Sequence, residues 1–264
     1  MMRPARDAMQ ASLGSTHAPA NAAASRVATV DVTRGIAIIG VVVFHLVWDL
    51  AFLGFIPTRW AFHPAWLLFG RLLAGTFVLL VGVSLVLSAR RGWRWRPFVR
   101  RLAVLVMAAA AITFVTRFAF ADTYVYFGIL HVIAVGSVVG AMALRSSSVV
   151  LVAAAVVVLV LGNTITSTSF DPRWLAWTGF AADPPPSNDF VPVFPWVGLT
   201  LLGIVLARAA TGRRWLGASV PDHGRVSAVL AWCGRHSLAI YLVHQPLLLG
   251  VLVPVAHLFR RSST

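Results

Sequence analysis

Apolar runs of membrane length recur along the chain, at 32–54, 66–88, 99–118, 124–144, 148–163, 190–208 and 228–258. Crossing hydrocarbon takes roughly 20 apolar residues in a helix. The pattern therefore predicts an all-α, polytopic membrane helix bundle of seven spans, or eight if one is hidden. The fifth run is short and rich in Val and Ala. The seventh is long and interrupted by Gly234 and Pro246, so it reads as a surface helix followed by one span. Residues 1–26, rich in Ala, Ser and Pro, lack the apolar stretch of a secretory signal and read as a disordered cytoplasmic tail. Residues 27–259 then form the membrane domain, and 260–264 a short polar tail.

The informative positions are those that break the apolar pattern. The first run reads "RGIAIIGVVVFHLVWDL" and carries Arg34, His45 and Asp49, with Asp31 just before it. At about 100° per residue all four fall within one sector of roughly 60°, and His45 stands about 16 Å along the axis from Arg34. Lipid does not tolerate such a stripe, so it must face the bundle interior or a water-filled cavity. One reading is structural: Asp31 pairs with Arg34, and Asp49 binds His45 a turn away. The other is functional: Asp49 orients and charges His45 for proton transfer, since an imidazole beside a carboxylate is a general base poised near neutral pH.

Other runs add polar groups. "WLLFGRLLAG" places Arg71 near the depth of Asp49, as its expected counter-ion, and "YFGILHVIAVG" places His131 near the same level. "GRHSLAIYLVHQPL" puts Arg235 and His236 near the inner surface, with Tyr241, His244 and Gln245 deeper. Pro246 frees the carbonyl of Leu242 to turn toward a cavity or ligand. Histidines 45, 131 and 244, at similar depth on three helices, predict a shared site.

Composition agrees with a membrane protein: 59% of the 264 residues are hydrophobic and 11% charged, against about a quarter charged in soluble domains. All 22 basic residues are arginine, the eight acids are all aspartate, and the net charge is +14. The arginines sit between the apolar runs rather than on one patch, which speaks for membrane orientation and anionic lipid rather than nucleic acid. Fourteen in the N-terminal tail and the even-numbered connections against five in the other connections and the C-terminal tail place the N-terminus in the cytoplasm. The lone Cys233 excludes an internal disulfide framework. No close pair of metal ligands of the HExxH kind is present, so no metal is expected, and there is no glycine-rich phosphate loop.

Five stretches together, "VDVTRGIAIIGVVVFHLVWDL", "GRLLAGTFVLLVGVSLVLS", "YFGILHVIAVGSV", "FVPVFPWVGLTLLGIVLA" and "GRHSLAIYLVHQPLL", resemble the bacterial branch of the heparan-α-glucosaminide N-acetyltransferase catalytic-domain family. The spacing of Arg34 and His45 is also similar to a signature of the wider transmembrane acyltransferase superfamily. The resemblance implies a bacterial cytoplasmic (inner) membrane protein that passes an acetyl group from cytoplasmic acetyl-CoA to an extracytoplasmic acceptor, a sugar amine or hydroxyl. It implies that Arg34, Arg235, His236 and the inner-loop arginines hold CoA, and that His45, with Asp49, deprotonates the acceptor or takes the acyl group. Arg71 and His131 would stabilise the oxyanion, while Tyr241, His244 and Gln245 line the acyl tunnel. The lysosomal members carry asparagine in place of His45 and a histidine in a context similar to "FHPAW", which makes His63 a rival catalytic residue. Membrane lipid, acyl-CoA and a carbohydrate or other small acceptor are the implied partners, and a homodimer is compatible. The competing readings are a proton-coupled transporter or permease and a catalytically inactive membrane scaffold.

Overall fold

A computed structural model describes residues 18–212 and 224–262. Its principal helices are α1 (Ala18–Phe52), α2 (Pro64–Arg90), α3 (Trp95–Ala119), α4 (Ile129–Ala143), α5 (Ser148–Thr164), the single-turn α6 (Arg173–Ala176), α7 (Val193–Gly212), α8 (Arg225–Arg235) and α9 (Ser237–Ser262). Among the described residues there is no strand, only two isolated bridges in the loops. The helix α1 starts inside the stretch read as a tail, covering 18–26, and residues 1–17 of that tail lie outside the described residues.

Five helical segments are long and apolar enough to cross a membrane: Ala28–Phe52, Pro64–Arg90, Trp95–Ala119, Val193–Ala210 and Ser237–Phe259. Two of the seven expected spans come out shorter. The run 124–144 becomes helical only at Ile129, because residues 120–128 turn and pair with the long loop, and 148–163 forms the 17-residue α5. At 1.5 Å per residue these helices are roughly 22 and 26 Å long, short of a hydrocarbon core of about 30 Å. The expected break in the last run falls at His236, between α8 and α9, while Pro246 and Pro254 are carried inside α9.

Without a hydrophobic drive between helices in lipid, packing relies on close backbone approach at small residues. A Cβ on Gly203 of α7 would collide with the carbonyl oxygen of Leu79 on α2, and one on Gly234 of α8 with that of Asp31 on α1. These two contacts seat the central pair α2–α7 and fasten the amphipathic α8 across the N-terminal part of the α1 span. The Thr200 hydroxyl, fully buried, donates to the Val78 carbonyl at 3.1 Å and ties the first seam further. Around it Val132, Ile204, Leu151 and Ala155 form the core, whereas α3 and α9 turn Phe114, Phe118, Leu247 and Val251 outward.

Beyond the helices, residues 164–192 fold into a pinned cap. The Asp171 carboxylate accepts from the N–H groups of Ala182 and Asp183 at 2.8 and 2.9 Å, and Arg173 donates to the Asp122 carbonyl at 2.7 Å. Tyr126 donates to the Pro185 carbonyl at 3.1 Å. Burial pushes the Tyr126 hydroxyl up to about 12 against the nearby Arg173 guanidinium, so it remains a donor throughout the neutral range.

Overpacking a closed seam costs about 1–3 kcal/mol and more when backbone is hit. Gly203→Leu should therefore abolish the monodisperse peak of the detergent-solubilised protein in size-exclusion chromatography, while Gly250→Leu, with open space around its Cα, should leave it.

Candidate functional site

A cavity of about 1050 Å³ opens between α1, α2, α3, α4 and α9 under the cap. Single small-ligand pockets run from about 300 to 1,000 Å³, so this one has room for a long ligand or for two. Its two ends differ chemically. Arg34, Arg94, Arg96, Arg100, Arg101 and Arg235 line one end, where α3, α9 and the apolar span of α1 begin and α2 finishes. Ser187, Asn188, Asp189 and Phe190 of the cap line the other. Between them the wall is largely apolar, with Ile38, Leu80, Val81, Leu130 and Ile133, and is broken by His45, Arg71 and Tyr241.

Arg34 is held at the arginine end by two contacts: Nη1 to Asp31 Oδ1 at 3.3 Å and Nη2 to Ser84 Oγ at 3.0 Å. The Asp31 pairing matches the i, i+3 spacing read from the sequence. A guanidinium has five N–H donors in a fixed fork, so this arginine can serve Asp31, Ser84 and a phosphate together.

His45 stands midway along the same wall. Its Nδ1 lies 2.9 Å from the Val41 carbonyl, which can only accept, so the ring proton sits on Nδ1 and Nε2 carries a bare lone pair. A cavity-lining imidazole fixed in that tautomer is a general base or a nucleophile ready for use. The ring meets Phe44 edge-on at 5.5 Å and His244 at 4.8 Å.

The far end contains a residue that the sequence reading passed over. Asp189 Oδ2 accepts from the Ile129 N–H at the start of α4 at 2.9 Å and from the Tyr241 hydroxyl at 3.0 Å. A side chain at Gly128 would occupy the same space as this carboxylate, so only glycine lets Asp189 reach the helix N-terminus. Burial pushes the Asp189 carboxyl above the usual range, opposed by the Ile129 N–H, the Tyr241 hydroxyl and His131. Asp189 is the acid on a cavity wall that otherwise carries arginine charge. Its signal in the sequence was faint, one Asp in the Pro-rich "PPPSNDF" with no helical period to place it.

Residues 26–246 match the family described as heparan-alpha-glucosaminide N-acetyltransferase, catalytic. The chain belongs to that family. No curated protein and no solved structure matches it. The matched region contains every cavity-lining residue named above, so the family's membrane acetyltransferase assignment and this cavity refer to the same part of the chain.

In this member of the N-acetyltransferase family, Arg34, His45, Arg71, Arg235 and Tyr241 from the sequence reading line the cavity. Asp49 does not bind His45 or Arg71: it is 2% exposed, and its Oδ1 accepts from Gln245 Nε2 at 2.8 Å. His244 touches His45 and Tyr241 from behind the wall. His131 turns to α3: Nδ1 accepts the Gly128 N–H at 3.1 Å, so Nε2–H donates to Thr113 Oγ at 3.3 Å. It thereby caps the first turn of α4. His63 likewise caps α2, its Nδ1 accepting the Ala65 N–H at 3.3 Å on the exposed surface. His236 stacks on Trp232 at 4.5 Å and is exposed. Among the described residues no group of three metal-ligating side chains converges.

Asp189→Asn keeps an oxygen for both donors and removes the charge. Because the folded-state carboxyl of Asp189 is raised, its contribution is present below the ordinary carboxylate value of about 3.9 and is lost as pH rises through the folded value. Thermal melts of wild type and Asp189→Asn should therefore diverge with rising pH, the wild type losing ground. Parallel curves would contradict the burial described here.

Proposed function

We propose that the chain transfers an acetyl group from acetyl-CoA at its arginine-lined end to an amine or hydroxyl acceptor entering beneath the cap. In this reading the arginine end is cytoplasmic, the N-terminus lies on that side, the two short helices complete seven crossings, and the membrane is the bacterial cytoplasmic membrane. The observation that carries the proposal is the single cavity joining a cluster of six arginines to the cap, with the bare Nε2 of His45 on its wall.

The residues suit the two ligands. Guanidinium forks match phosphate oxygens bidentately, so Arg34, Arg235 and the arginines opening α3 would grip the CoA phosphates. Acetyl-CoA supplies an activated acyl group as a thioester. His45 removes a proton from the acceptor as its nitrogen or oxygen attacks the acetyl carbonyl. Arg71, lining the same cavity from α2, offers a cation for the charge that develops on the carbonyl oxygen. Asp189, Asn188 and Ser187 present an acceptor-rich rim for the amine and hydroxyls of a sugar. Walls of ionisable groups also occur in proton-coupled permeases, and acyl-CoA separates the two readings, since a permease would neither bind nor consume it.

Loss of a general base costs typically 10²–10⁴-fold. His45→Ala should lower labelled acetyl transfer from acetyl-CoA by about that factor in a protein that still inserts and is stabilised by CoA. His63→Asn, which preserves a cap acceptor, should transfer at close to the wild-type rate. The reverse outcome would move the chemistry to the His63 turn.

A further inference from the structure

Behind His45, on the side away from the cavity, α1 and α9 bury a second group of polar atoms. His244 is 7% exposed, and its Nδ1 lies 2.7 Å from the Tyr241 carbonyl. Its proton is therefore on Nδ1 and its Nε2, like that of His45, is bare. That Nε2, Asp49 Oδ2 and Gln245 Oε1 are all buried and unpartnered. All three accept rather than donate, and buried polar atoms without partners are costly. They belong to adjacent turns: Asp49 lies one turn beyond His45, Gln245 donates to Asp49, and His244 precedes Gln245 and meets the His45 ring at 4.8 Å.

We propose that His244, Asp49 and Gln245 form a proton-accepting site reached through His45, which takes the proton an amine acceptor must shed before it can attack. The inference rests on the acyltransferase reading and concerns the case of an acceptor that arrives as an ammonium. Such an acceptor has two protons to lose. The first passes from nitrogen to His45 Nε2 and from that ring to the acceptors packed behind it, coming to rest on the Asp49 carboxylate. The free nitrogen lone pair then forms the N–C bond to the acetyl carbon as the C–S bond breaks. The second proton leaves nitrogen to His45 and goes to the thiolate. The sum is R–NH3+ plus acetyl-CoA giving R–NH–acetyl, CoA–SH and one proton held at Asp49. A hydroxyl acceptor releases no such extra proton.

The charges allow one proton to be stored. Two imidazolium rings at this separation repel in a low dielectric, so the pair carries one proton at a time. A buried carboxylate with a single N–H partner is a poor anion, and proton uptake relieves it. From α1 the ionisable group that meets His244 is His45, and Asp49 is held by its neighbour Gln245; from its own helix, Tyr241 meets it; Arg71 faces the cavity from α2. Asp49, Gln245 and His244 act through His45 and are positioning residues.

The test compares wild type, Asp49→Asn and His244→Gln in nanodiscs, with acetyl-CoA and glucosamine as the amine probe. Transfer is followed from below to above a pH of about 8, where an amine flanked by electron-withdrawing groups, like an α-amino group, titrates, and melting temperatures are recorded in parallel. Below that pH both variants should fall by about a hundredfold; above it, where the amine arrives neutral, they should return toward the wild-type rate. Losses that are equal at every pH, or that track a lowered melting temperature, overturn the proton-accepting role and leave the acyltransferase reading standing. A wild type that transfers acetyl at no pH overturns both.

Discussion

Charge inside hydrocarbon costs at least about 2.5–3.5 kcal/mol per residue unless it meets water, a partner or a ligand. This chain places Arg34, His45, Asp49 and Arg71 within its apolar helices, and much of the architecture answers that cost. Asp31 and Ser84 hold Arg34, the Val41 carbonyl holds His45, and Gln245 holds Asp49. What these partners leave uncovered faces either the cavity or the buried polar atoms behind His45.

The same constraint divides labour among the helices. The glycine-seated pair α2–α7 and the fastening of α8 to α1 provide a rigid frame, while α3 and α9 close the cavity with their inner faces and meet lipid with their outer ones. The cap is rigid for a different reason. Its carbonyls and N–H groups are pinned by Asp171, Arg173, Tyr126 and Asp189 to helix ends or to one another. The carboxylate of Asp189 thus does two things: it satisfies a free N–H at the start of α4 and charges the cavity's far end.

Much of this was legible in the residues and some was not. The angular stripe on α1 located Arg34 and His45 on one wall, because helix geometry fixes direction within a turn or two. The Asp31–Arg34 pair followed from spacing alone. Asp49 and His45 share that stripe, yet a histidine in a helix can satisfy Nδ1 on the carbonyl one turn back. The carboxylate was then free for Gln245, a partner 196 positions away that no local rule could supply. His131 and His63 looked catalytic because depth and context were all the sequence offered; both are spent on helix starts, where orphan N–H groups compete for any acceptor. Asp189 went unnoticed because a Pro-rich loop has no period. The helix α4 is shorter than the apolar run that announced it, because apolar loop residues from 124 onward extend the hydropathy without extending the helix.

One cavity connects the arginine cluster to the cap, so in the proposed reaction donor and acceptor meet at His45 from opposite ends. The direct test is acetyl transfer in proteoliposomes of known orientation, with labelled acetyl-CoA supplied only at the arginine-rich face and an amino sugar on both sides. Labelled product should accumulate on the cap side. Product confined to the side where acetyl-CoA was added would contradict it.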